Sequence, residues 1–265
     1  MKYLVINGSP HKGNTWKVAK SALVNIKKLD SDCTFQEIHL LDLKLPFCLG
    51  CSNCFRIGGE FCPHKDVMTY IIDKINWADG VIVLSTTFNR RETALLKNFL
   101  DHLNYLLHRP LWFTKKALVI TTVGGVGGNS TIKSISCTLR GMGFNRCYGI
   151  SIRSLSWNDY QIRRKDQKKI DKISAVFCKD VQSGKLHYPS TDVLIPYNLF
   201  RGMAGNYVKG AEYETKDGEY YSDEYRKKHV YDKSIPLLPH QRVIGSIFYL
   251  IGKIGSKYMV VTYKK

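Results

Sequence analysis

An apolar run at residues 3–6, Tyr-Leu-Val-Ile, leads straight into Asn7-Gly8-Ser9-Pro10-His11-Lys12-Gly13-Asn14-Thr15 and then into a helical pattern. A strand without polar alternation has both faces covered, the condition of a central strand in a parallel sheet flanked by helices. Gly8 and Gly13 allow backbone angles closed to other residues, Pro10 fixes one, and Asn14 or Thr15 can cap a helix beginning near Trp16. A helix N-terminus with free N–H groups beside Ser and Thr hydroxyls is a ready anion site. The G-x-G-x-x-G spacing and the Gly-Lys-Ser/Thr ending of a Walker A loop are both absent, so neither of those phosphate motifs applies. A plain strand-to-helix turn with a good cap is the competing reading.

The same alternation continues. Trp16, Val18, Ala19, Ala22, Leu23 and Ile26 recur at helical spacing, and residues 34–41 read as a second strand, which makes a right-handed βαβ unit. Further helices are predicted over 66–77, 94–102, 130–141 and 158–181, and further strands over 80–84, 116–122 and 145–152. Five βα units are therefore complete by residue 185. Doubly wound sheets bind ligands outside the carboxyl ends of their strands, which makes the segments that follow the strands the candidate ligand loops. Those after strands three and four are Ser85-Thr86-Thr87-Phe88-Asn89-Arg90-Arg91 and Val123-Gly124-Gly125-Val126-Gly127-Gly128.

Half of the eight cysteines sit in fifteen residues, as Cys48, Cys51, Cys54 and Cys62, in a loop that also holds Gly58 and Gly59. The C-x2-C-x2-C-x7-C spacing puts three sulfurs on one compact turn and returns a fourth, which suits a four-iron cubane better than the split pairs of a structural zinc site. Thiols lining a ligand pocket are the alternative.

Gly-Ser-Pro-x-x-Gly-Asn-Thr directly after an N-terminal strand resembles the FMN phosphate loop of the flavodoxin-like NAD(P)H-dependent FMN reductases and iron-sulfur flavoproteins. The resemblance extends to Leu95-Leu96-Lys97-Asn98-Phe99-Leu100-Asp101, which is similar to their Leu-Lys-x-Phe-x-Asp helix, and to the cysteine loop followed by Asp66. It implies a five-stranded parallel sheet in the order 2-1-3-4-5, with Ser9, His11, Asn14, Thr15 and Trp16 around the FMN phosphate. Thr87, Phe88 and Asn89 would meet the flavin ring, and Thr122, Gly124 and Gly125 its pyrimidine side. Where the family usually reads Ser-Pro-Val-Tyr, this chain reads Ser-Thr-Thr-Phe followed by Asn-Arg-Arg. Arg90 and Arg91 either meet a flavin carbonyl or a nicotinamide-cofactor phosphate, or are solvated. Cys48, Cys51, Cys54 and Cys62 are [4Fe-4S] ligands or a thiol wall of the flavin site. No side chain is assigned as a catalyst, and His102 and His108 receive no role.

The implied activity is hydride transfer from NAD(P)H to FMN and on to a small acceptor such as free flavin or quinone. Electron exchange with a ferredoxin-like partner through an iron-sulfur cluster is the second reading, and a cofactor-free binding module the third. The family also implies a homodimer. A formal net charge of +18 favours anionic ligands through long-range attraction, and with no nucleic-acid-binding motif present a nucleic-acid partner is not expected. No apolar stretch reaches the roughly 18 residues of a membrane span, and the opening Met-Lys-Tyr is not a signal peptide. The expected compartment is the cytoplasm.

Residues 1–185 are thus expected to form the flavodoxin-like FMN-binding domain. Residues 186–265 read as an aromatic and basic C-terminal extension packed on it, without a visible core pattern of its own. Nine Lys or Arg and one acidic residue lie between 226 and 265. Its apolar stretch, with Ile247, Phe248, Leu250, Ile251 and Ile254, either packs on the sheet or a second subunit or makes a weak contact with an anionic membrane surface. Packing is the expectation, because lipid-surface helices usually have a cleaner polar face.

Overall fold

The computed structural model describes residues 1–262. Strands β1 (Lys2–Asn7), β2 (Thr34–His39), β3 (Gly80–Thr86), β4 (Lys116–Val123) and β5 (Arg146–Arg153) form one parallel sheet in the order β2-β1-β3-β4-β5. Helices α1 (Asn14–Leu29) and α6 (Arg164–Ser183) cover one face. Helices α3 (Lys65–Trp77), α4 (Ala94–His102) and α5 (Gly128–Gly141) cover the other, and the one-turn helix α2 (Asn53–Arg56) lies in the cysteine loop. The unbroken apolar runs of β1, β3 and β4 are buried on both sides, as their sequences require. Where Tyr3 stands opposite Gly80, a Cβ on that glycine would come within 3.0 Å of the Tyr3 ring and 2.9 Å of Phe177.

Three helix starts differ from the sequence reading by two residues or more. Helix α1 starts at Asn14 with Gly13 as its cap residue, and no side chain caps it. Helix α5 starts two residues earlier than predicted, at Gly128. Helix α6 starts at Arg164 because Tyr160 is drawn to α1: its N–H donates to Asn14 Oδ1 (3.1 Å), and its hydroxyl donates to Asp166 (2.6 Å).

The extension has a core after all. It forms helices α7 (Thr191–Met203), α8 (Lys216–Tyr221), α9 (Glu224–Lys228) and α10 (Pro239–Gly255), and Val193, Leu194 and Tyr197 of α7, Tyr221 of α8, and Tyr231 and Ile235 from between α9 and α10 gather around Phe113 of the sheet domain. Tyr197 packs edge-on to Tyr221 and Tyr231, with centroids 5.4 and 5.0 Å apart. Tyrosine carries this core, so no aliphatic periodicity announces it. Helix α10 packs on α7, not on the sheet, and does so through glycines. A Cβ at Gly252 would stand 2.4 Å from the Leu199 carbonyl oxygen, and one at Gly202 would stand 2.3 Å from that of Tyr249. Among the described residues no helix is long and apolar enough to cross a membrane.

Candidate functional site

The carboxyl ends of β1, β3 and β4 bring three loops together. Gly8 donates its N–H to the Leu84 carbonyl (2.9 Å), and a Cβ there would lie 2.6 Å from Leu96 Cβ. Neither Gly8 nor Gly13 has a positive φ, so what Gly8 supplies is the close approach of α4 rather than an unusual angle. The buried Asn7 side chain ties the start of the loop to the end of β2. Its Oδ1 accepts the Ser9 N–H (3.0 Å), and its Nδ2 donates to His39 Nδ1 (3.0 Å). Burial, and then the Lys12 charge, depress the His39 pKa.

The hydroxyls predicted to face an anion also face one another. Ser9 Oγ accepts the Thr86 N–H (3.1 Å) and lies 3.2 Å from Thr86 Oγ1, while Thr15 Oγ1 lies 3.1 Å from Thr86 Oγ1 and 2.6 Å from Thr122 Oγ1. Asn14 is spent within the protein, donating to Ser156 O (3.2 Å) and accepting from Tyr160. His11 is exposed. Trp16 is buried, its ring 5.2 Å from His39 and 4.6 Å from the Lys12 ammonium. Because no side chain caps α1, the N–H groups of its first turn remain for a ligand beside the Ser9 and Thr15 hydroxyls and Lys12. That donor set fits a phosphate.

In the second loop Thr87 turns inward: its N–H donates to Thr122 O (2.9 Å) and its Oγ1 lies 2.8 Å from Thr121 Oγ1. Phe88 and Arg91 exchange two backbone hydrogen bonds across Asn89 and Arg90, whose φ values of 50° and 64° make a tight primed turn. Asn89 is exposed at its tip and Phe88 at its base. Arg90 packs on Gly127, where φ is 98° and a Cβ would meet Arg90 Cγ at 2.8 Å, and Arg91 Nη1 donates to Ser134 Oγ (3.2 Å). Arg90 therefore ties this turn to the third loop, and Arg91 ties it to α5. Gly124 and Gly125 are exposed, and a Cβ on either would meet nothing within 4 Å. The backbone there is open to a flat ligand.

The cysteine loop is held from outside. Asn98, on α4, accepts the Cys48 N–H (3.0 Å) and donates to Leu45 O and Pro46 O (3.2 and 3.0 Å). The buried Arg109 donates to Cys54 O and Phe55 O and pairs with Asp217 of α8. His108 Nδ1 lies 2.7 Å from Asp217 Oδ2, and its ring stacks on Phe200 at 3.7 Å, so it belongs to this clamp. Asn98 and Arg109 escaped the sequence reading. Position in the signature helix could have flagged Asn98, but nothing local marks Arg109.

Cys48 and Cys51 are exposed, Cys54 and Cys62 half-buried. The Cys54 thiol is pushed up to about 11 by burial and then by Cys62, with Cys48 adding to the effect. Cys54 and Cys62 line a cavity of about 560 Å³ with Glu60, Tyr105, Arg109 and Lys216. Beside them His64 Nδ1 lies 3.0 Å from His102 Nε2, and His102 Nδ1 donates to Asn98 O (2.8 Å). Four thiols on one anchored loop fit a soft iron-sulfur group by donor chemistry.

The sheet order and the loops at its switch point define a flavodoxin-like protein. Residues 1–145 match the NADPH-dependent FMN reductase family, and the chain belongs to that family. It is similar to an iron-sulfur flavoprotein of Clostridioides difficile (strain 630), 32% identical over 182 residues that cover 68% of this chain and 80% of the relative. An iron-sulfur flavoprotein of Archaeoglobus fulgidus is 34% identical over 101 residues, 38% of this chain and 48% of that protein. The fold is shared with the FMN-dependent NADH-azoreductase from Bacillus anthracis in complex with FMN, at TM-score 0.52 and 16% identity, over 67% of this chain and 100% of that one.

Proposed function

We propose that this protein is an FMN-dependent oxidoreductase that draws reducing equivalents from NADH or NADPH and delivers them to a small acceptor such as free flavin or quinone. The observation that carries the reading is the uncapped start of α1 beside the Ser9–Thr86–Thr15–Thr122 hydroxyls. Bound FMN supplies the two-electron chemistry. The chain's own part is to hold and orient. First-turn N–H groups of α1 and the Ser9 hydroxyl bind the phosphate, Lys12 adds positive charge, and the Phe88–Arg91 turn and the Gly124-Gly125 backbone flank the ring. No protein base is needed at the transferring hydride. As in the family it resembles, the protein is expected to act as a cytoplasmic homodimer. Purified protein should be yellow, should release FMN rather than FAD on heating, and should oxidise NAD(P)H with free flavin or a quinone present. A colourless protein that takes up no FMN would overturn this reading in favour of a binding module.

A second reading, electron exchange with a ferredoxin-like partner, is favoured by the clamped cysteine loop and by the iron-sulfur flavoproteins among its relatives. Cys48, Cys51, Cys54 and Cys62 would hold a [4Fe-4S] cluster, and the basic chain would suit an acidic partner. Protein purified without oxygen should then be brown, with about four irons per chain, and any one of the four changed to Ser should lose the iron and keep FMN. Iron-free yellow protein leaves the cysteines as a thiol wall and the first reading alone.

A further inference from the structure

Helix α10 has one face on the protein and the opposite face in solvent. Gln241, Gly245 and Gly252 are buried on the inner side. On the other side Val243, Ile247, Leu250, Ile251 and Ile254 fall on one stripe and are each 49% to 60% exposed. Helical geometry sets Arg242 and Lys253 along one edge of that stripe, and Lys257 follows just past the helix; all three are exposed. Tyr258 and Met259 extend the exposed apolar surface beyond it.

We propose that α10 docks the protein on an anionic lipid surface, with its aliphatic stripe in the headgroup and acyl boundary and its basic edge on the headgroup phosphates. A free lipid-surface helix needs a polar face for water. Here that requirement lapses, because the second face of α10 lies on α7. Charge chooses the occupant. A second copy docked antiparallel, stripe to stripe, would bring the two sets of Arg242, Lys253 and Lys257 together, and any second copy adds to a chain of net charge +18 with one acidic residue after position 225. An acidic protein would answer the cations but would need a matching aliphatic face. Anionic lipid answers both features, and each Lys or Arg near such a surface strengthens binding about fivefold. The docking is independent of the flavin and cysteine readings.

The test is flotation of the full-length protein with phosphatidylcholine vesicles carrying about one-third phosphatidylserine at physiological salt, against pure phosphatidylcholine. The protein should float with the anionic vesicles only. Ile247→Glu with Ile251→Glu should abolish flotation, and Lys253→Ala with Lys257→Ala should weaken it by about twenty- to thirtyfold. Because these side chains point outward, the variants should keep the wild-type circular dichroism and melting temperature. Equal or absent binding to the two vesicle types overturns the proposal, as does a wild-type dimer that the Ile247→Glu/Ile251→Glu variant dissociates. Flotation unchanged in both variants overturns it too.

Discussion

The Thr15 hydroxyl, in the first turn of α1, lies 2.6 Å from the hydroxyl of Thr122, near the end of β4. Two of the three ligand loops are thus joined by one buried hydrogen bond, with Thr86 between them and Ser9.

Ser9→Ala should lower FMN affinity about ten- to a hundredfold, since a hydrogen bond to a charged phosphate is worth about 1.5–3 kcal/mol. Thr15→Val should cost less, about three- to tenfold, because a neutral hydroxyl pair is worth about 1 kcal/mol. Titration by quenching of flavin fluorescence reads both. Wild-type affinity in Ser9→Ala and Thr15→Val alike would remove the phosphate assignment.

Two glycines separate fold from binding. Gly8→Ala drives a Cβ to 2.6 Å from Leu96 Cβ and 3.1 Å from the Leu84 carbonyl oxygen, and should destabilise the protein by about 1–3 kcal/mol. Gly124→Ala meets no protein atom within 4 Å, so its melting temperature should stay put while FMN binding weakens. A Gly124→Ala protein with unchanged FMN affinity would mean that the ring does not lie over this loop.

Arg109→Ala leaves Asp217 without its guanidinium and frees the Cys54 and Phe55 carbonyls. A loss of about 3–5 kcal/mol in urea unfolding is expected, as for other broken buried pairs. Iodoacetamide should also reach Cys54 in the variant nearly as fast as Cys48 and Cys51, which mass spectrometry of alkylated peptides can follow. Slow Cys54 labelling in Arg109→Ala would show that the loop holds itself.

The Asp166 carboxyl sits below its ordinary value of 3.8. Burial opposes ionisation, but hydrogen bonds from Tyr160 and Arg163 outweigh it. A carboxyl depressed in the folded state contributes stability that is full above the unfolded pKa and is lost as pH falls through the folded one. The loss therefore sets in below 3.8. Asp166→Asn should be less stable at neutral pH and show a flatter acid limb, as measured by urea unfolding from about pH 2 to 7. An acid limb identical to wild type would mean that Asp166 is not depressed.

The sequence by itself determined the sheet and the place of the site. Residues 3–6, 80–84 and 116–122 carry no polar alternation, which only a strand covered on both faces tolerates, and the intervening helical repeats force parallel crossovers. The choice of the loops after β1, β3 and β4 rests on the strand order β2-β1-β3-β4-β5, which the sequence carries only through the resemblance of its loop motifs. Tertiary structure decided which side chains in those loops are free. Asn14 looked like a helix cap and a phosphate ligand, yet it is taken by Ser156 and Tyr160, 142 and 146 residues away. Thr87 is likewise turned onto Thr121. The cysteine clamp joins Arg109 to Cys54 and Asp217 across 55 and 108 residues. The outward stripe of α10 exists only because its glycines chose α7 as their neighbour. Periodicity reports whether a local segment has an apolar face. A hydrogen bond or a glycine contact depends on which distant segment arrives beside it, and that is settled only when the chain closes on itself.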